Sequence, residues 1–136
     1  MKHRAADVAL AVKRLQHRHH RALSQALAPL GLSLVQWDTL RHLHRQPDAS
    51  LHDLAVLTFQ TDQSFGSLAV RMAERGLIER ISGPGRAVRH RLTDEGARLR
   101  AEGQELVDGI VEKSFSALSA VQLDQLGDLL DAALGQ

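Results

Sequence analysis

The chain has no cysteine and no tyrosine, only three prolines, and 3% aromatic residues in a length of 136. Without cysteine there is no disulfide, no thiolate nucleophile, no thiol redox sensor and no Cys-ligated zinc or iron–sulfur site. So few rings exclude a platform that stacks the bases of single-stranded nucleic acid. No stretch approaches the roughly 18 apolar residues of a membrane span, and the run Val8–Val12 is shorter than the roughly 7 to 15 residues of a signal-peptide core. A soluble, cytoplasmic protein with no membrane partner is expected. There is no G-x-S-x-G, no H-E-x-x-H and no Gly-rich phosphate loop, because Gly83-Pro84-Gly85 reads as a hairpin turn and precedes no helix. No catalytic residue and no cofactor are expected, and the chain is not read as an enzyme.

What is present is enough for one domain, 1–136, with 43% apolar residues to build a core. Seventeen Lys and Arg against sixteen Asp and Glu leave a net charge of +1, which by itself predicts no partner. The total hides a gradient. Residues 1–45 hold eight basic residues against two acidic ones, and residues 96–136 hold three against seven.

Hydrophobic spacing divides the chain. Val8, Ala11, Val12, Leu15, Leu23 and Leu27 mark a long helix over 5–28, closed by Pro29 and Gly31. Ser33 with Gln36 has capping-box spacing and opens a second helix through Trp37, Leu40 and Leu43 towards Pro47. Ser50 with Asp53 opens a third, short helix that stops near Phe59. Phe65, Leu68, Ala69 and Met72 make the inner face of a fourth, ended by Gly76, with Gln63, Ser64, Ser67, Val70 and Arg71 opposite. The period then changes to two: Leu77, Glu79 and Ile81 alternate with Ile78 and Arg80, and Val88, His90 and Leu92 with Arg89 and Arg91, a hairpin about Gly83-Pro84-Gly85. Thr93 caps a helix to about Ser114, and Ser119 with Gln122 starts the last one.

The expected fold is therefore mainly α with a small β-hairpin wing: a winged helix-turn-helix over about 33–93, flanked by dimerisation helices over about 5–28 and 94–135. Such a module reads double-stranded DNA. Its second helix must present short side chains to a major groove, as Ser64, Gly66 and Ser67 do, while Thr61, Gln63 and Ser64 carry groups for base edges. Residues 80–92 hold Arg80, Arg86, Arg89, Arg91 and His90 and no acid, so the hairpin is basic inside a near-neutral protein. The candidate DNA-binding residues are Thr61, Gln63, Ser64, Ser67, Arg71, Arg86 and Arg89. The competing reading is an ordinary helical pair and hairpin with a solvated charged face, or a winged helix that binds protein.

Met72-Ala73-Glu74-Arg75-Gly76-Leu77-Ile78-Glu79-Arg80, a short wing with Arg86, and Arg91-Leu92-Thr93-Asp94-Glu95-Gly96 resemble the MarR family of winged-helix transcriptional regulators. The resemblance covers essentially the whole chain. It implies a homodimer on a pseudo-palindromic operator, usually a repressor released by a small phenolic or otherwise lipophilic anionic effector. Two departures stand out: Pro84 occupies the position of an Asp that braces the wing arginine, and Gly66 and Ser67 stand where the family often has Ser or Thr and a basic residue.

The end helices are expected to hold two protomers together, since recognition helices must sit about 34 Å apart. Leu106, Ile110, Val111, Phe115, Leu118, Val121, Leu126, Leu130 and Leu134 supply the surface, and the basic start and acidic end of the chain interleave. For any one of these leucines, packing within its own monomer is the simpler reading. Six of the eight histidines lie in the first 44 residues, and His17 with His20 has the i, i+3 spacing of one helix face. A histidine-based metal-responsive regulator is thus an alternative, although Asp7 and Asp38 complete no obvious ligand set and no metal site is assigned.

Overall fold

The computed structural model describes residues 2–81 and 87–136. In chain order they form α1 (Ala5–Leu27), a 3-10 turn (Ala28–Leu30), α2 (Leu34–Arg45), α3 (Leu51–Leu57), α4 (Asp62–Glu74), β1 (Ile78–Ile81), β2 (Arg89–Leu92), α5 (Asp94–Ser114) and α6 (Ala120–Leu134). The helix starts follow the caps read from sequence. The Ser33, Ser50 and Ser119 hydroxyls each accept the backbone N–H three residues on, and the side chains of Gln36, Asp53 and Gln122 bond back to the cap residue. Each reciprocal pair satisfies two backbone donors that the first turn leaves open.

β1 and β2 pair antiparallel, with Ile78 opposite Leu92 and Ile81 opposite Arg89. The strand alternation differs from the sequence reading at its start. Leu77 and Ile78 are both buried, because Gly76 at φ 73° turns α4 back and the Leu77 N–H closes on the Met72 carbonyl at 3.0 Å. Leu77 therefore belongs to the helix cap, and the pleat begins one residue later. The residue ahead of α3 adds a rudimentary third strand: Ser50 bridges Arg89, and the Leu51 N–H bonds the Val88 carbonyl at 2.8 Å.

The core lies where α2, α3, α4, β1 and the first half of α5 meet. Leu40, Leu54, Phe65 and Met72 are fully buried there, each side chain contributing about 1.5–3 kcal/mol of hydrophobic stabilisation. Two glycines let α5 close on this core. A Cβ at Gly96 would run into the Leu77 carbonyl, and one at Gly103 into the Trp37 ring. Trp37 is buried with its indole Nε1 donating to the Arg100 carbonyl at 3.1 Å. The ends of the chain are different: α1 buries only Leu27, and α6 buries nothing.

Candidate nucleic-acid interface

α3, the turn 58–61 and α4 form the helix-turn-helix, and the hairpin follows directly. The Thr61 hydroxyl accepts the Ser64 N–H at 3.1 Å, so this side chain caps α4 and keeps its O–H and one lone pair for outside partners. Phe65, Leu68, Ala69 and Met72 anchor the inner face, which forces Gln63, Ser64, Ser67, Val70 and Arg71 outward, all of them exposed. Ser64, Ser67 and Arg71 follow at i, i+3 and i+7 and make one stripe. A Cβ at Gly66 would meet nothing within 4 Å, so no packing inside the protein demands glycine there. Its bareness leaves the α4 backbone approachable from outside.

Five of the seven candidate residues thus come together on α4. Arg89 lies apart, half-buried at the turn-side end of β2, opposite Ile81 and bridged to Ser50, with the Asp53 carboxylate near enough for its charge to be felt. Arg86 lies outside the described residues.

The electrostatics are less uniformly positive than the hairpin's composition. Arg91 is paired with Glu79 at 2.9 Å, its cross-strand partner, and Glu79 lies one residue outside the acid-free segment. His90 is buried, and burial, aided by the Arg80 charge, pushes its pKa down. At the head of α4, Asp62 bonds His52 Nδ1 at 2.8 Å, and this carboxylate raises the His52 pKa, first by the hydrogen bond and then by its charge. The pairing joins residues ten apart on different helices, which no local pattern reveals. Arg75 was also unmarked: it donates to the Gly31 carbonyl at 2.7 Å and to Gln36 Oε1 at 3.3 Å, tying the end of α4 to the start of α2.

Among the described residues no three His, Asp or Glu side chains converge as metal ligands, and no helix is long and apolar enough to cross a membrane.

Residues 30–87, the segment that holds the helix-turn-helix, match the MarR family. This segment is MarR-like. The similar proteins are named as transcriptional repressors. The HTH-type transcriptional repressor IacR of Pseudomonas putida is 22% identical over 87% of this chain and 72% of its own length. The repressor Rv2887 of Mycobacterium tuberculosis is 27% identical over 80% of each chain. Its structure in complex with p-aminosalicylic acid superposes with a TM-score of 0.77 at 25% identity, covering 94% of this chain and 98% of that one. A mutant MarR from E. coli complexed with operator DNA superposes with a TM-score of 0.85 at 20% identity, covering 93% of each. The winged-helix architecture read from the sequence is therefore the observed one.

Proposed function

We propose that the protein is a cytoplasmic, homodimeric repressor of a pseudo-palindromic operator, released by a small phenolic or lipophilic anionic ligand. The observation that carries this reading is the outer face of α4. Short polar side chains, an open glycine and Arg71 stand beside a hairpin that supplies further arginines. In the proposed complex α4 enters the major groove, with Thr61, Gln63, Ser64 and Ser67 at base edges and Arg71 on phosphate. Arg89 supports the wing contact, and Arg86 is assigned to it on sequence resemblance alone.

The whole chain acts as a single unit, with 33–93 as the winged helix-turn-helix and helices over 5–28 and 94–135 as the dimer scaffold. α6 supports the scaffold, since Val121, Leu129 and Leu134 are each about two-thirds exposed on a helix that has no buried residue. A repeated apolar face of this kind marks an association surface.

For the effector we propose the cleft between the end helices and the winged helix. It encloses about 320 Å³ and is lined by Leu23, Leu34, Trp37 and Val107 on its apolar side and by Arg41, Arg45, Asp38 and Gln104. Trp37 forms its floor, with the Arg41 guanidinium 5.8 Å from the ring centroid. An aromatic carboxylate fits this chemistry, and such a ligand, p-aminosalicylic acid, is bound by the similar Rv2887.

The test is selection of bound duplexes from a random pool. Enrichment of two inverted half-sites spaced by about one helical turn is expected. Recovery of no sequence, or of a single unpaired half-site, overturns the proposal. Salicylate should then displace the chosen duplex from the parent chain but not from Arg41→Ala.

A further inference from the structure

The turn between α3 and α4 carries a residue that the core does not explain. Phe59 is 96% exposed and sits at φ 59°, the only non-glycine with a left-handed backbone among the described residues. The conformation comes from how α3 ends. The Gln60 N–H bonds the Ala55 carbonyl at 2.8 Å and the Phe59 N–H bonds that of Val56 at 3.1 Å, a closure that requires a left-handed residue at position 59. Glycine adopts it freely, whereas a side chain there is strained. Among the described residues no packing of the ring offsets that strain. Val56, on the last turn of α3, is also exposed and extends the apolar end of the turn.

The location supplies the partner. Thr61, two residues on, caps α4, and Gln63 and Ser64 lead its outer face. In a helix-turn-helix the first helix crosses the DNA backbone while the start of the second enters the major groove, so the connecting turn lies along the groove wall. An apolar group at that wall meets one apolar feature on the base edges, the C5-methyl of thymine. We propose that Phe59 is a DNA-contacting specificity residue whose ring packs on a thymine methyl at the edge of the groove entered by α4. Strain held at an exposed position fits a residue kept for contact with a partner. The inference rests on the DNA-binding reading above.

The test uses the full chain and the duplex it enriches from a random pool. Each thymine is replaced in turn by deoxyuridine, which removes the methyl and leaves base pairing intact. For the parent, one position per half-site should lose affinity severalfold. In Phe59→Gly, which relieves the left-handed strain, affinity for the parent duplex should fall by a similar factor. The deoxyuridine loss at that position should disappear, and the unfolding temperature should hold or rise. That last readout separates a contact residue from a structural one. Equal affinity of parent and Phe59→Gly, with identical deoxyuridine profiles, overturns the inference and leaves the ring to a protein partner. A parent chain that binds no duplex overturns the DNA-binding reading and this one with it.

Discussion

Thr93 uses both faces of one hydroxyl: it donates to the Gly76 carbonyl at 2.6 Å and accepts the Gly96 N–H at 3.0 Å. One side chain thereby caps α5 and ties it to the turn that ends α4. Thr93→Ala is expected to lower stability by about 1–2 kcal/mol, read from denaturant unfolding, with loss of a cap as the mechanism. Asp62 makes the opposite kind of prediction. Its carboxylate stands at the head of α4, where phosphates would approach, and favours the helix dipole while opposing DNA. Asp62→Asn should tighten DNA binding severalfold at low salt and steepen the salt dependence, measured by titration of a labelled duplex. An unchanged affinity would show that α4 does not face phosphate. Thr93 was legible in the sequence as a cap because the Gly96 N–H it accepts is three residues on, whereas its bond to Gly76 was not. The His52–Asp62 pair and the left-handed Phe59 were not, since each depends on how α3 is set against α4.

At the scale of the element, α6 and α1 decide whether the chain acts alone. The spacing of Leu126, Leu130 and Leu134 shows an apolar stripe, but a stripe that completes its own core and one that awaits a partner look the same in sequence. The structure separates the two within the chain: Leu130 is 39% and Leu134 71% exposed, while Leu99 and Val107 of α5 are buried. The acidic residues Asp124, Asp128 and Asp131 fall at i, i+4 and i+7 on α6, and Arg14, Arg18 and Arg21 at matching intervals on α1. These two stripes supply the complementarity that would set the register of two copies. Leu129→Glu is expected to shift the protein from dimer to monomer in sedimentation at micromolar concentration and to weaken operator binding. A dimer of undiminished stability would remove α6 from the interface. The hairpin shows the converse limit. Its strands were legible from their period of two, yet its charge was overcounted, because the Glu79–Arg91 pairing is a matter of cross-strand register.

For the molecule as a whole, three histidines couple folding to pH. His90 and His42 have pKa values pushed below the ordinary imidazole value of about 6.5 mainly by burial, and His19 likewise, beside Ser114 and Arg18. For His42 the Asp38 carboxylate opposes burial, and Arg41 and Arg45 add to it. A depressed folded-state value means that the unfolded chain binds more protons as pH falls through about 6.5, so stability is full above that range and declines below it. His52 runs the other way, but it is exposed and its pair is screened by water. The unfolding midpoint should therefore fall between about pH 7.5 and about pH 5.5. His90→Gln should flatten that dependence. A midpoint constant over this interval would sink the assignment.

The sequence by itself determined the order of elements, the caps that start them, the hairpin, and the resemblance to the MarR family. Those features are set by spacings of two to four residues, within which a side chain acts on its own backbone. The tertiary structure alone decided which charges are spent on neighbours, which histidines have their pKa lowered by burial, that Phe59 stands strained and uncovered, and that α6 buries none of its residues. Each of these depends on the distance between groups on separate elements, which hydrophobic periodicity does not encode.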